Sequence, residues 1–322
     1  MTPVTRTPGD LVPAERPTFY FIGVTTGSSS IRTVFPRWAV ELGLGDVELV
    51  GIDITPHAPA EQYREVVDFL AADPLSLGAL VTTHKIDLYE AARDHFAEVD
   101  PLARLMGEVS CLSKRGGGLR ASAKDPWSSG LAIDSFAPPE LFAREPREVF
   151  VMGAGGSAIA MDWHLSRPER GAARPAGVVV SDRGSARLSV LADVHHQVAP
   201  DVPLRTVTVQ GAGDNDDVLA GLGPGALVVN ATGLGKDAPG SPLGAGARFP
   251  ERALVWELNY RGDLVFLEQA RAQQQDRALT VEDGWTYFLH GWTQVIAEVF
   301  DVEIPTSGPR FDRLAEIAAT TR

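Results

Sequence analysis

Short apolar runs rich in β-branched and aromatic residues recur along the chain, and a stretch with helical spacing follows most of them. FYFIGV (19–24), VELVGIDI (47–54) and GALVTT (78–83) read as buried strands. Residues 31–44, 60–70 and 87–96 read as the helices between and after them, with Pro36 close to the start of the first. Two shorter strands fit residues 109–113 and 119–123, and a helical connector fits 125–136. A second series opens at VFVMG (149–153) and continues with strands at 177–182, 205–209, 226–232 and 253–259. Alternation of this kind predicts βαβ units and largely parallel sheets. An amphipathic helix over about 285–300 is expected to pack onto the first domain or across the cleft.

The fold class expected is α/β with two domains. Residues 1–17, rich in Thr and Pro, read as a flexible arm. Residues 18–136 are expected to form a mainly parallel first domain, completed by helices within 273–322. The stretch PPE…REPR (137–147) marks the boundary, and 137–272 is expected to form a second domain. A chain of 322 residues accommodates two domains, and 44% hydrophobic residues suffice for two cores.

Charge narrows the function. Forty-two Asp and Glu against 29 Lys and Arg leave a net charge of −13, which repels phosphate backbones and argues against nucleic acid. No apolar run has the length of a membrane span, and no signal segment opens the chain, so a cytoplasmic protein is expected. The single Cys111 cannot form an internal disulfide. The expected partners are therefore a small-molecule substrate and copies of the chain itself, as monomer or homodimer.

The chemistry starts at VFVMGAGGSAIA (149–160). A strand enters Gly153, Gly155 and Gly156, and a helix leaves through Ser157 and Ala158. Glycine there lets the backbone turn tightly and approach a pyrophosphate, and the helix start offers free N–H groups, so 137–272 is expected to be a dinucleotide-binding domain of Rossmann type. The next strand ends in Asp182, where a carboxylate binds an adenosine ribose and repels a 2′-phosphate. That leans to NAD. The adjacent Arg183 admits NADP, so both cofactors stay open. In the first domain, VTTHK (81–85) places Lys85 where a strand ends and a helix begins, and ASAKD (121–125) ends in Asp125. Lysine can serve as acid and base if its surroundings lower its pKa, and a carboxylate can orient it. From spacing alone, both also fit ordinary solvated groups at strand ends.

Seven segments in order resemble the shikimate dehydrogenase family, which includes quinate/shikimate dehydrogenases, over roughly residues 19–305. They are GVTTGSSS (23–30), GALVTTHK (78–85), GEVSCLSKRGGGLRASAKD (107–125), GAGGSA (153–158), SDR (181–183), NATGLG (230–235) and ELNY (257–260). The resemblance implies an NAD(P)-dependent oxidoreductase that interconverts a ketone and a secondary alcohol on a small cyclic polyhydroxy acid or cyclitol. It implies Lys85 as acid/base with Asp125 beside it, 18–136 as the substrate-binding catalytic domain, and an active site in the cleft between the domains, to which the helices within 273–322 return. Ser28, Ser30 and Thr82 would bind substrate. Asn230, Thr232 and Gly233 would lie on the nicotinamide side, and Tyr260 near substrate. The departures matter as much. The family's asparagines stand here as Leu80 and Ser110, its Asn-Thr-Asp as Ala123-Lys124-Asp125, and its late glutamine is replaced in register, with Tyr287 or His290 in that role. Each lost buried hydrogen bond costs about 1–3 kcal/mol, so a related but different cyclic ketone is the expected substrate. An inactive dinucleotide-binding sensor of the same fold is the alternative, and related folds run other NAD(P)-linked reactions.

Other residues carry less. His195 and His196 are expected on a helix surface, and no Cys or His spacing suggests a metal. His84 could tune Lys85 or simply start a helix. DNDD (214–217) reads as a helix start. Cys111 reads as a small strand residue, and Trp285 and Trp292 as packing.

Overall fold

The computed structural model describes residues 4–236 and 238–321. They fall into two compact units, one made of the chain up to Lys124 together with the part from Gly291 onward, the other of Asp125–His290.

The first unit is built on β1 (Thr5–Arg6), β2 (Thr18–Gly23), α1 (Ile31–Leu42), β3 (Glu48–Asp53), α2 (Ala60–Ala72), β4 (Ser76–Val81), α3 (Lys85–Ala92), β5 (Glu98–Val99), α4 (Pro101–Met106), β6 (Cys111–Arg115) and β7 (Gly118–Ser122). Its sheet runs in the order β1-β3-β2-β4-β6-β7-β5. β2 is buried along its whole length, which is why it reads as a continuous apolar run and not as an alternation. The sheet is parallel except at β6, which runs antiparallel to both β4 and β7. α1 buries Ile31, Val34, Phe35, Trp38, Ala39 and Leu42, one face at helical spacing, and Gly43 ends it at φ 69°. Each of its large apolar side chains contributes roughly 1.5–3 kcal/mol by leaving water.

The amino-terminal stretch differs from the expected arm. Thr5 and Arg6 pair in parallel with Gly51 and Ile52 and extend the sheet edge. Two residues are too short a run to show a period, and their pairing partner lies far along the chain.

The second unit holds α5 (Asp125–Phe136), α6 (Pro139–Arg144), β8 (Glu148–Met152), α7 (Gly156–Ser166), β9 (Gly177–Asp182), α8 (Ser185–Val198), β10 (Leu204–Thr208), α9 (Ala212–Ala220), β11 (Leu227–Asn230), β12 (Leu254–Glu257), α10 (Val265–Gln273) and β13 (Thr280–Glu282). All six strands are parallel, in the order β10-β9-β8-β11-β12-β13. This is the doubly wound dinucleotide-binding arrangement, and its order reverses between β8 and β11. α11 (Trp285–Phe300) begins in this unit and ends in the first, which also holds α12 (Pro309–Ala319). In the first unit, the Trp292 ring meets Phe19 and Phe21 edge-on at 6.1 and 4.9 Å.

The boundaries therefore differ from the expected ones. α5, expected in the first domain, packs on α7 in the second unit. Gly130 permits this contact, because a Cβ there would stand 2.2 Å from His164 Nδ1. β13 joins β12, so the second unit also runs past residue 272. His195 is a further correction. It is buried, with Nδ1 2.9 Å from an Asp162 carboxylate oxygen and Nε2 2.9 Å from the Val202 carbonyl. Burial opposes its charge, but these partners raise its pKa overall. His196 is exposed, as expected. Among the described residues no helix is long and apolar enough to cross a membrane, and no cluster of His, Cys, Asp and Glu could hold a metal ion.

Candidate active site

The carboxyl ends of β8, β9, β11 and β12 carry the candidate dinucleotide site of the second unit. Gly153 leaves β8 at φ 98°, and a Cβ on it would stand 2.7 Å from the Ala231 carbonyl oxygen. Only glycine lets these two loops approach so closely. Gly155 is different. Its φ is −83° and nothing lies within 4 Å of a Cβ built there, so its lack of a side chain leaves an open cradle in front of the α7 amino terminus. Gly156, Ser157 and Ala158 form the first turn of that helix. A pyrophosphate fits this arrangement, since the early N–H groups of a helix and its dipole favour an anion. Asp182 closes the loop from β9. Its Oδ2 accepts from the Ala154 N–H at 2.8 Å and its Oδ1 from the Gly184 N–H at 2.7 Å. The carboxylate thus braces the glycine turn, a duty beyond the ribose role expected of it. Arg183 is exposed beside it.

Asn230 does not present its side chain to a ligand. It is fully buried at the end of β11, donates to Glu257 Oε2 at 2.6 Å, and accepts from Thr232 N and Oγ1 at 3.1 and 2.7 Å. Glu257, fully buried at the end of β12, also accepts from Asn259 N and Nδ2 at 2.9 and 2.7 Å. Burial pushes its pKa up to about 7, against the pull of these donors. The network fixes the Thr232–Gly233 turn, and Gly233 sits at φ 78°.

In the first unit, several of the expected substrate residues follow the carboxyl ends of two central strands of the sheet. β2 and β4 are parallel neighbours. The turn after β2 carries Ser28, whose hydroxyl donates to the Thr25 carbonyl, and Ser30, which precedes α1. Thr82 follows β4, and its N–H bonds Ile22 of β2. Lys85 is the first residue of α3 and half-buried. His84 is buried behind it, with Nδ1 3.2 Å from the Tyr63 hydroxyl, and burial lowers its pKa. Ser110 is brought to the same end of the strands by the antiparallel β6, and Val109 donates to the Lys85 carbonyl. The Ser110 hydroxyl, however, accepts from Lys124 N at 2.7 Å. It supports the backbone leading to Asp125, a local job not expected from the sequence. Leu80 and Ala123, at two positions where the sequence lacks the family's asparagines, are buried. Cys111 is a buried strand residue, as expected.

Asp125 opens α5 and is 5% exposed. Tyr287 on α11 donates to its Oδ2 at 2.9 Å, and the same phenol oxygen lies 3.2 Å from Ser157 Oγ. Tyr287 therefore contacts both a catalytic candidate and the cofactor loop. His290 is 3% exposed, and burial lowers its pKa to about 4. Tyr260 packs its ring on Trp285 and Phe288 at 5.4 and 4.8 Å. Trp285 in turn stacks on Phe288, the packing role expected of it.

Two features escaped the sequence. One is the pairing of Glu257 with Asn230 and Asn259: ELNY is among the resembling segments, but nothing local in it shows that its acid reaches Asn230. The other is Glu298, which is nearly buried and takes hydrogen bonds from Ser113 and Ser122 at 2.9 and 2.8 Å and an ion pair from Lys124 at 2.5 Å. Lys124 and Glu298 lie 174 residues apart, and no local pattern couples them.

No family model matches the chain. A curated shikimate dehydrogenase (NADP(+)) of Symbiobacterium thermophilum is 30% identical over 206 residues, 63% of this chain and 64% of that protein. The match thus spans less than two thirds of that relative's length. Among solved structures, quinate dehydrogenase from Corynebacterium glutamicum in complex with NAD superposes with a TM-score of 0.72 at 20% identity, covering 95% of this chain and 99% of that one. A ligand-free 5-ketofructose reductase of a Gluconobacter species superposes at 0.66 with 16% identity, over 95% and 99% of the two chains. These two likenesses establish the fold.

Proposed function

The chain is shikimate dehydrogenase-like in sequence and in fold, and on that premise we propose that it is an NAD(P)-dependent dehydrogenase acting on a small cyclic ketone and its secondary alcohol. The observation that carries this reading is the open glycine cradle at Gly155, set in front of α7 on a six-stranded parallel sheet next to its switch point. Gly153, Gly155, Gly156 and the first turn of α7 would hold the pyrophosphate, and Thr232 and Gly233 the nicotinamide side. When bound, the dinucleotide supplies or accepts the hydride.

The chain's own residues handle the proton and the substrate. In reduction, Lys85 donates a proton to the oxygen that becomes the alcohol, and in oxidation it takes that proton back. Asp125 accepts a hydrogen bond from a ring hydroxyl. Ser28, Ser30 and Thr82 bind the remaining polar groups of the substrate. Leu80 and Ala123 offer none, and the Ser110 hydroxyl already serves Lys124. A substrate with fewer polar contacts on that side than shikimate fits these positions better. Cofactor choice follows from two neighbours. Asp182 disfavours a 2′-phosphate and Arg183 favours one, and NAD is the choice if the carboxylate, held in place by two N–H groups, outweighs the exposed arginine.

The test is reduced-dinucleotide oxidation with a panel of cyclic ketones that includes dehydroshikimate, dehydroquinate and less polar analogues. Some ketone in the panel is expected to turn over, dehydroshikimate less well than the best one. Lys85→Ala is expected to cut kcat at least a hundredfold, the scale of lost acid–base catalysis, with dinucleotide affinity retained. Binding without turnover on any ketone would favour a sensor. Full activity of Lys85→Ala would remove its assigned role. Parallel titrations with NADH and NADPH decide the cofactor, and a strong NADPH preference would overturn the weight given to Asp182.

A further inference from the structure

Asp125, Tyr287 and Ser157 lie in one hydrogen-bonded row inside the second unit, and the row has a direction. A phenol has one proton and a carboxylate can only accept. With the Tyr287 proton given to Asp125 Oδ2 at 2.9 Å, the 3.2 Å contact with Ser157 requires the Ser157 hydroxyl to donate. The order is therefore Ser157 to Tyr287 to Asp125. Ser157 is also the second residue of α7, behind the Gly155 cradle. An anion seated there would compete for the same single hydroxyl proton.

We propose that Ser157 divides its proton between Tyr287 and the dinucleotide phosphate, so that filling the cofactor loop alters the hydrogen bonding of the catalytic carboxylate. The inference rests on the dinucleotide reading above. Without the cofactor, Ser157 donates to Tyr287 and thereby strengthens the phenol as a donor to Asp125, since hydrogen bonds in series polarise one another. With the cofactor bound, the Ser157 proton turns to phosphate. Tyr287 becomes a weaker donor, and Asp125 then accepts more strongly from another partner, such as a substrate hydroxyl. Dinucleotide first and substrate second is the binding order this favours. Tyr287 acts here as a positioning residue for Asp125.

The experiment is a double-mutant cycle on dinucleotide affinity, read by nicotinamide fluorescence with NADH and NADPH and without substrate. Tyr287→Phe removes the competing acceptor and is expected to tighten binding about two- to fivefold. Ser157→Ala removes the donor and is expected to weaken it. The double variant is expected to match Ser157→Ala, because the gain from Tyr287→Phe acts through Ser157 alone. Unchanged or weaker binding by Tyr287→Phe overturns the proposal. So does a gain that persists in the Ser157→Ala background, which would mark a change of packing. Binding by the wild type without this coupling removes the proposal and leaves the dehydrogenase reading intact. Absence of all dinucleotide binding removes both.

Discussion

Glu257 and His290 are buried groups of opposite charge type, and burial shifts their titrations in opposite directions, past each other. Glu257 is raised from 4.5 to about 7, so between those values the unfolded chain has lost a proton that the native protein keeps. Its contribution to stability is full below about pH 4.5 and falls as pH rises toward 7. His290 is lowered from 6.5 to about 4. Its contribution is full above 6.5 and is lost as pH falls toward 4. Over the shared interval the two slopes oppose each other. Denaturant titrations at a series of pH values separate them. Relative to wild type, Glu257→Gln is expected to lose the decline between pH 4.5 and 7, and His290→Leu to lose the decline between 6.5 and 4. Identical pH profiles for wild type and variants would mean that neither group titrates as its burial implies.

At the level of elements, the turn from β8 to α7 shows how identical letters carry different loads. Gly153 has φ 98° and the Ala231 carbonyl in the path of a side chain, whereas Gly155 has neither constraint. Gly153→Ala is expected to destabilise the fold by about 1–3 kcal/mol through its backbone conformation alone, with more from the contact. Gly155→Ala is expected to melt like wild type yet lose dinucleotide affinity, because its methyl group enters the cradle. Thermal melts and binding titrations on the pair check this, and equal melting temperatures for both variants would contradict it. The strand–glycine–helix motif was legible because all its parts are local. β2, β8, β11 and β12 were legible for a similar reason, since strands buried on both faces show continuous apolar runs. What stayed hidden depends on distant partners. β1 exists through β3, the burial of His195 through Asp162, and the environment of Lys124 through Glu298. α5 was recognised as a helix but assigned to the wrong unit, because the glycine that seats it acts only against His164.

For the whole molecule, the residues proposed to hold the dinucleotide all belong to the second unit, while the net charge of −13 belongs to the entire chain. Two consequences follow. A ligand that binds only the folded protein stabilises it, by about 2.7 kcal/mol at a hundred times Kd, and the protection should be local in origin. Hydrogen exchange with saturating dinucleotide is expected to slow most in residues 153–158, 182–184 and 230–235, with smaller effects along β1–β4. Protection concentrated in the first unit would place the ligand elsewhere. The charge acts on the rate. An acidic protein repels an anionic dinucleotide at long range, and added salt screens that repulsion over a Debye length of about 8–10 Å near physiological ionic strength. Close contacts at the α7 amino terminus are screened less. Association should therefore quicken as salt rises from low to moderate concentration, while dissociation changes little. Stopped-flow fluorescence with NADH or NADPH measures both rates. Association that slows with salt would mean that local cations such as Arg183 outweigh the acidic surface and steer the ligand in.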